Sequence, residues 1–207
     1  MVDDQGLVRV TKYSDKIREL DVVKRISVEY PLYCRDEVAR MLARAAANLP
    51  SDLHLQVDSA YRTRKAQEIL WEARKTVMPG LVFNPVEGTP PHCTGAALDI
   101  SLVAEKGEEI NLSEPFPKFY NEPQLVSEKI SPKAQELRLL LNKIMLEQGF
   151  ASNPKEYWHF SYGDKLKYGE IELPKNYYYP IYIRVYYKVS RRLWKLINRL
   201  FSIQTNY

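Results

Sequence analysis

The chain has 207 residues, which is enough for one domain of ordinary size with an appendage. Its 45% hydrophobic and 27% charged residues are typical of a globular protein and exclude a disordered or fibrous chain. Two cysteines exclude a scaffold held by several disulfides, and no apolar run approaches the roughly 20 residues that span a bilayer. The first residues also lack the apolar stretch of a secretory signal. These observations predict a soluble, cytoplasmic protein.

The positive charge is concentrated at the C-terminal end of the chain. The net charge is +4, yet residues 175–207 contain seven basic residues and no acidic one. The rest of the chain therefore carries more acidic than basic residues, and we expect no nucleic-acid partner for the protein. Because the composition changes near Pro174, we expect a domain over residues 1–174 and a basic, tyrosine-rich extension over residues 175–207.

Hydrophobic spacing predicts three helices and three strands in irregular order. In chain order these are a helix over 35–48, a strand over 53–60, a helix over 63–75, a strand over 96–103, a helix over 132–147 and a strand over 157–162. Thr63 is a typical N-cap for the second helix, whose inner face is expected to carry Ala66, Ile69, Leu70 and Ala73. Two proline-rich segments, 78–91 and 104–131, are predicted loops. This mixture predicts an α+β fold.

Two of the three histidines lie in motifs that also contain carboxylates. His92 and Asp99 form an H-x6-D motif, and Glu156 and His159 form an E-x-x-H motif. Together the motifs offer two imidazoles and one carboxylate to a metal, with a second carboxylate nearby. Zinc in catalytic sites characteristically takes three protein ligands and leaves a position for water, whose proton a free carboxylate can remove. Each motif alone is common by chance, but Arg62 at the exit of a predicted strand strengthens the combination.

The remaining histidine and the two cysteines are predicted to have no catalytic role. His54 lies between two apolar residues of a predicted strand, which places it on the opposite face as a surface or second-layer residue. Cys34 precedes an apolar helix and is expected in the core. Cys93 neighbours His92 and could bind zinc as a thiolate, but the ligand set implied by the family resemblance described below is complete without it, so we expect a spectator thiol there.

Several motifs in one order resemble a known family of peptidases. These motifs are Asp58-x-x-Tyr61-Arg62, His92-x-x-Gly95-x-Ala97-x-Asp99, Gly149-Phe150 and Glu156-x-Trp158-His159. Over about residues 25–165 they resemble the zinc D-alanyl-D-alanine dipeptidases of the vancomycin-resistance type. That group belongs to the wider set of zinc D,D-peptidases that share the hedgehog-like fold.

The resemblance implies a zinc peptidase domain with a small antiparallel sheet, flanking helices and one Zn²⁺ per chain. The implied substrate is a small D-amino-acid peptide such as D-Ala-D-Ala, or a related cell-wall peptide. Matched by position, the implied metal ligands are His92, Asp99 and His159. Glu156 would be the general base, and Arg62 would stabilise the oxyanion of the tetrahedral intermediate.

Departures from the family pattern leave the substrate open. Pro90-Pro91 stands where many members have a serine pair, and Leu112-Ser113 replaces a Met-Gly pair. A D,D- or L,D-carboxypeptidase acting on peptidoglycan stem peptides is therefore an alternative, and a zinc amidase or endopeptidase of phage-lysin type is a weaker one. A non-catalytic, zinc-containing binding module is the alternative of a different class. Glu156 and Arg62 favour an enzyme, since a purely structural zinc site needs neither.

The C-terminal extension contains a predicted amphipathic helix. Residues 187–201 combine apolar residues at helical spacing with five basic residues. This pattern fits an anionic membrane surface or a partner groove, while packing on the domain or on a second subunit is the favoured interpretation.

Removal of residues 175–207 distinguishes these two interpretations. Packing predicts that the truncated protein is destabilised or insoluble. Membrane attachment predicts a soluble, active core that no longer sediments with anionic vesicles, while sedimentation of the full chain weakens as salt is added. Full-length protein that ignores such vesicles at low salt would contradict attachment.

Overall fold

The computed structural model describes residues 32–76, 79–104, 108–116, 122–163 and 167–171, and the backbone of residues 7–9 and 17–18. The predicted helix at 187–201 and the rest of the extension lie outside these described residues. None of the helices in the described ranges is long and apolar enough to cross a membrane.

A mixed five-stranded sheet forms the centre of the fold. The described residues form seven strands, five in this sheet and two in a separate ribbon. They are β1 (Leu7–Arg9), β2 (Ile17–Arg18), β3 (Tyr33–Arg35), β4 (Leu53–Ser59), β5 (Ala97–Ala104), β6 (Ala151–Asn153) and β7 (Glu156–Ser161). The main sheet has the order β2-β4-β5-β7-β6, and β1 pairs with β3 in a separate ribbon. All pairings are antiparallel except that of the two-residue β2 with β4. The expected small antiparallel sheet is confirmed, with short strands added at its edges.

Within the described ranges three α-helices complete the α+β fold, and their bounds agree closely with the sequence prediction. They are α1 (Asp36–Ala47), α2 (Arg64–Arg74) and α3 (Pro132–Glu147). The Thr63 hydroxyl accepts the amide proton of Ala66 at 3.2 Å and so caps α2 as predicted. Apolar residues of α1 and α3 form one core with those of β4, β5 and β7, and Cys34 is buried within it as expected.

The inner face predicted for α2 is partly wrong. Ala66 is buried, but Ile69 and Leu70 are only half-buried and Ala73 is exposed. The second buried residue of the helix is instead the polar Gln67. The reason is that α2 borders a pocket through Gln67, Leu70 and Arg74, so apolar spacing does not report its buried side.

One buried arginine fastens the long connection between β5 and α3 onto the domain. The Arg138 guanidinium is fully buried in α3 and lies 3.9 Å from the centre of the Tyr157 ring. It donates hydrogen bonds to four acceptors, which are the carbonyls of Leu112, Glu122 and Gln124 and the hydroxyl of Ser113. A segment with little regular structure is thereby held by a side chain.

Replacement of Arg138 by methionine should destabilise the protein strongly. Three buried acceptors and one partly buried acceptor would lose their donor, and we expect the free energy of unfolding to fall by about 3 kcal/mol or more. Arg44→Met is the matched control, since Arg44 is exposed on α1 and donates only to Gln148 among the bonds described. The control should change stability by less than about 0.5 kcal/mol in urea denaturation. Equal losses in both variants would contradict the role given to Arg138.

Candidate active site

Strand register brings residues from three strands to one place. Asp99 lies on β5, directly opposite Ser59 of β4 on one side and His159 of β7 on the other. The pairing of β4 is irregular between Val57 and Ser59, where one additional residue is inserted. Because of this bulge, the consecutive residues Asp58 and Ser59 both line the same pocket, which a regular strand would not allow.

His92 reaches the same place from a short turn before β5. The turn is a 3-10 helix over Pro91–Thr94, followed by Gly95 with a φ of 70°. A left-handed φ favours glycine, in agreement with the tight turn expected there. The His92 carbonyl accepts hydrogen bonds from the amides of Gly95 at 3.3 Å and Arg62 at 3.1 Å, so the turn is also tied to the end of β4.

His92, Asp99 and His159 form a cluster that could hold a metal ion. One ligand atom from each of the three residues lies within 4.8 Å of the other two. Asp99 Oδ1 is 3.0 Å from His159 Nδ1 and 3.4 Å from His92 Nε2. The structure thus brings the three predicted metal ligands together, although they are up to 67 positions apart in the sequence.

The surroundings of His92 direct its Nε2 atom toward the cluster. His92 Nδ1 is 2.7 Å from the carbonyl oxygen of Ala60, which can only accept. Nδ1 must therefore carry the proton in the neutral ring, and the lone pair is on Nε2. Such a hydrogen bond on the far nitrogen is typical of metal-binding histidines.

The two carboxylates of the site have pKa values displaced in opposite directions. Burial raises the pKa of Asp99, but the nearby imidazoles of His92 and His159 outweigh it and hold the pKa well below its usual range. Burial raises the pKa of Glu156, and the charge of Asp99 adds to this effect against opposing contributions from His159 and Asn153. Asp99 therefore suits a ligand, and Glu156 suits a proton acceptor.

Glu156 begins β7, three residues before His159, and lines the pocket with it. Asn153, in the adjacent β6, donates a hydrogen bond from its amide to Glu156 Oε2 at 2.9 Å. The Glu156 carboxylate is thus oriented by a neighbouring strand that the sequence analysis did not predict.

Arg62 lines the same pocket, and the partners of its side chain include Gln67 and Ser59. It is only 8% exposed. Its Nη1 atom donates to Gln67 Oε1 at 2.6 Å, and its Nη2 atom donates to Ser59 Oγ at 2.9 Å. Neither Gln67 nor Ser59 was singled out from the sequence. The sequence signal for Gln67 is its position, since it is a polar residue about one turn into the predicted helix that follows the candidate arginine. That signal is weak.

A pocket of about 300 Å³ contains all five predicted site residues. This volume is at the lower end of the range for small-molecule sites. Its wall also includes apolar residues from α2, from the connections before β5 and from β7, namely Leu70, Val82, Phe83, Pro90, Pro91 and Trp158. The two prolines that depart from the family pattern therefore line the pocket.

The other histidine and the neighbouring cysteine lie outside the metal cluster found among the described residues. Cys93 is fully buried beside His92. His54 is only 9% exposed, so a surface position is wrong and a second-layer position fits. Both faces of β4 are largely buried. The alternation of residues along one strand does not indicate whether its second face is also buried.

Fold and site together define an α+β domain with a three-residue metal cluster, a carboxylate outside that cluster and a buried guanidinium in one pocket. This combination is typical of hydrolytic metalloenzymes. Residues 21–179 match the Peptidase_M15 family, described as D-ala-D-ala dipeptidase. Since this match covers most of the sequence, the chain belongs to that family.

Two curated relatives are similar to parts of the chain. A D-alanyl-D-alanine dipeptidase of Escherichia coli (strain K12) is 33% identical over 131 residues, which are 63% of this chain and 61% of that protein. A D-alanyl-D-alanine dipeptidase of Synechocystis sp. (strain ATCC 27184 / PCC 6803 / Kazusa) is 39% identical over 94 residues, 40% of this chain and 38% of that protein. The chain thus matches less than two thirds of the length of either relative.

Metal analysis after dialysis tests the cluster. We expect about one divalent ion per chain in the purified protein. His159→Ala should lose the metal ion because only two of the three ligands remain. Glu156→Gln should retain the ion because Glu156 lies outside the cluster. Circular dichroism verifies that both variants are folded. Equal metal content in His159→Ala and the unsubstituted protein would contradict the assignment.

Proposed function

We propose that the protein is a zinc-dependent dipeptidase that hydrolyses D-Ala-D-Ala or a closely related D-amino-acid dipeptide. The observation that supports this most directly is the convergence of three metal-binding side chains, Glu156 and Arg62 in one small pocket. Membership of the dipeptidase family and the names of the two relatives support the same substrate class.

Zinc is the proposed metal, at one ion per chain. Two imidazole nitrogens and one carboxylate oxygen are a ligand set that catalytic zinc commonly takes, with a position left for water. The hydrogen bond between His92 and Ala60 supports this, since it leaves Nε2 available to a metal. When bound there, zinc would polarise the peptide carbonyl and lower the pKa of a water molecule.

Glu156 is the proposed general base. Its carboxylate takes a proton from the attacking water and then delivers it to the amine that leaves as the peptide bond breaks. The raised pKa of Glu156 fits both halves of this role, because the group must accept a proton and later release it. The Asn153 amide holds Oε2 in place, which leaves Oε1 for the proton.

Arg62 is the proposed stabiliser of the oxyanion. Negative charge develops on the carbonyl oxygen during attack, and a fixed guanidinium in a largely buried position stabilises it more than water would. Removal of one such donor costs about 100-fold to 1,000-fold in kcat in other hydrolases. The restraint of both terminal nitrogens of Arg62 supports this role, since the group needs no reorganisation during the reaction.

The pocket favours a dipeptide over a longer stem peptide. A volume of about 300 Å³ suits a ligand of few atoms. Pro90 and Pro91 also line the wall, and because they replace the serine pair of many family members they keep an alternative substrate open. A D,D- or L,D-carboxypeptidase remains the second candidate.

We further propose a cytoplasmic peptidase domain over residues 1–174, and a membrane or subunit contact through residues 187–201 of the extension.

Hydrolysis of D-Ala-D-Ala and of a stem pentapeptide by the zinc-loaded protein tests the proposal. We expect hydrolysis of the dipeptide at a kcat/KM well above that for the pentapeptide. Glu156→Ala should retain zinc and lose at least about 100-fold in kcat, because the base is removed. Glu136→Ala, on the exposed side of α3, is the matched control and should keep the unsubstituted rate.

Three outcomes would contradict parts of the proposal. Hydrolysis of neither peptide would argue against a peptidase and for a binding module. Faster hydrolysis of the pentapeptide would favour the carboxypeptidase. Unchanged hydrolysis by Glu156→Ala would contradict the role of the base.

A further inference from the structure

Gln67 joins the buried arginine of the site to the pocket wall. It lies in the first half of α2 and is 2% exposed. Its Oε1 atom accepts from Arg62 Nη1 at 2.6 Å, and its Nε2 atom donates to the carbonyl of Phe83 at 2.8 Å. A guanidinium only donates and a carbonyl only accepts, so these partners determine the orientation of the amide. Gln67 is thus rigidly held between two parts of the pocket.

The chemical type of Gln67 matters as well as its position. An amide oxygen accepts the hydrogen bond from Arg62 without adding a negative charge. Glutamate would accept the same bond, but its charge would offset part of the positive charge that Arg62 presents to an oxyanion. Ser59, the acceptor on the Nη2 side, is likewise neutral and lies 3.4 Å from His92 Nδ1. Both contacts restrain the guanidinium without neutralising it.

We propose that Gln67 is the positioning residue for Arg62 in the hydrolytic reaction, and that it keeps the guanidinium aligned without adding a negative charge beside it. Gln67 acts through Arg62, to which its amide oxygen is hydrogen-bonded. Small displacements of a group that stabilises a transition state lower kcat more than they weaken substrate binding. The inference rests on the proposed function for its kinetic consequence, whereas the alignment of Arg62 can be measured without any substrate.

Two substitutions separate alignment from charge. Gln67→Met keeps the size of the side chain and removes both hydrogen bonds, and we expect a loss of about 10-fold in kcat with KM changed less than about twofold. Gln67→Glu keeps an acceptor for Arg62, yet kcat should also fall because the guanidinium is partly neutralised. A merely structural role would predict that Gln67→Glu retains the unsubstituted kcat.

A double-mutant cycle shows whether Gln67 acts through Arg62. In an Arg62→Ala background, Gln67→Met should reduce kcat by less than about twofold, because the group it positions is gone. Gln135→Met is the matched control, since Gln135 on α3 bridges two backbone groups of a loop in the same manner and does not line the pocket. It should lose stability without a change in kcat.

Modification of Arg62 by phenylglyoxal provides a readout that does not depend on activity. Brief treatment followed by peptide mass spectrometry measures how readily this one side chain reacts. We expect slow modification in the unsubstituted protein and in Gln67→Glu, and clearly faster modification in Gln67→Met. Gln135→Met should resemble the unsubstituted protein.

The outcomes distinguish this inference from the proposed function. A protein that hydrolyses no D,D-peptide contradicts the proposed function, while the modification rates still test the alignment of Arg62. Equal modification rates in Gln67→Met and the unsubstituted protein would overturn the positioning role. The same conclusion would follow if Gln67→Met lowered kcat equally with and without Arg62. An unchanged kcat in Gln67→Glu would overturn the part that concerns charge.

Discussion

The site depends on the register of three neighbouring strands. Asp99 on the central strand faces His159 on one neighbour and, after the bulge in β4, Ser59 on the other, so antiparallel pairing and the bulge together bring these three residues side by side. A slip of one residue in either pairing would turn the side chains of that strand to the other face of the sheet. The apolar residues that alternate with the site residues are buried in the core, and their burial specifies the register. The packing of the core therefore also determines the geometry of the site.

Hydrogen bonds from the ends of these strands orient the reactive groups. The Ala60 carbonyl selects the tautomer of His92, and the backbone of Arg62 binds the His92 carbonyl. Ser59 and Gln67 then hold the two terminal nitrogens of Arg62. Groups restrained in this manner do not need to reorganise when charge develops, which is the condition for efficient electrostatic stabilisation.

Local environment separates the roles of two carboxylates in one pocket. Two imidazoles hold the pKa of Asp99 low, so this group stays negative and can bind a cation. Burial raises the pKa of Glu156, which makes the group a better proton acceptor. Opposed pKa shifts in neighbouring groups are a general sign of divided roles, in this case between the candidate metal ligand and the proposed base.

Much of the fold and the candidate site could be predicted from local sequence signals. The spacing of apolar residues predicted the three helices and the central strands, because these elements bury one face against a common core. The scarcity of histidine singled out His92 and His159, and the family motifs associated them with Asp99, Glu156 and Arg62. The structure then placed all five in one pocket.

Tertiary structure decided the features that depend on what lies opposite each residue. The edge strands β2 and β6 are too short for a periodic signal, although β6 supplies Asn153 to Glu156. Gln67 is buried between Arg62 and Phe83 and Ala73 is exposed, and helical spacing reports neither. Periodicity describes which residues share a face. Only the packed chain determines whether that face meets the core, a pocket or solvent, because burial is a property of the partners across it.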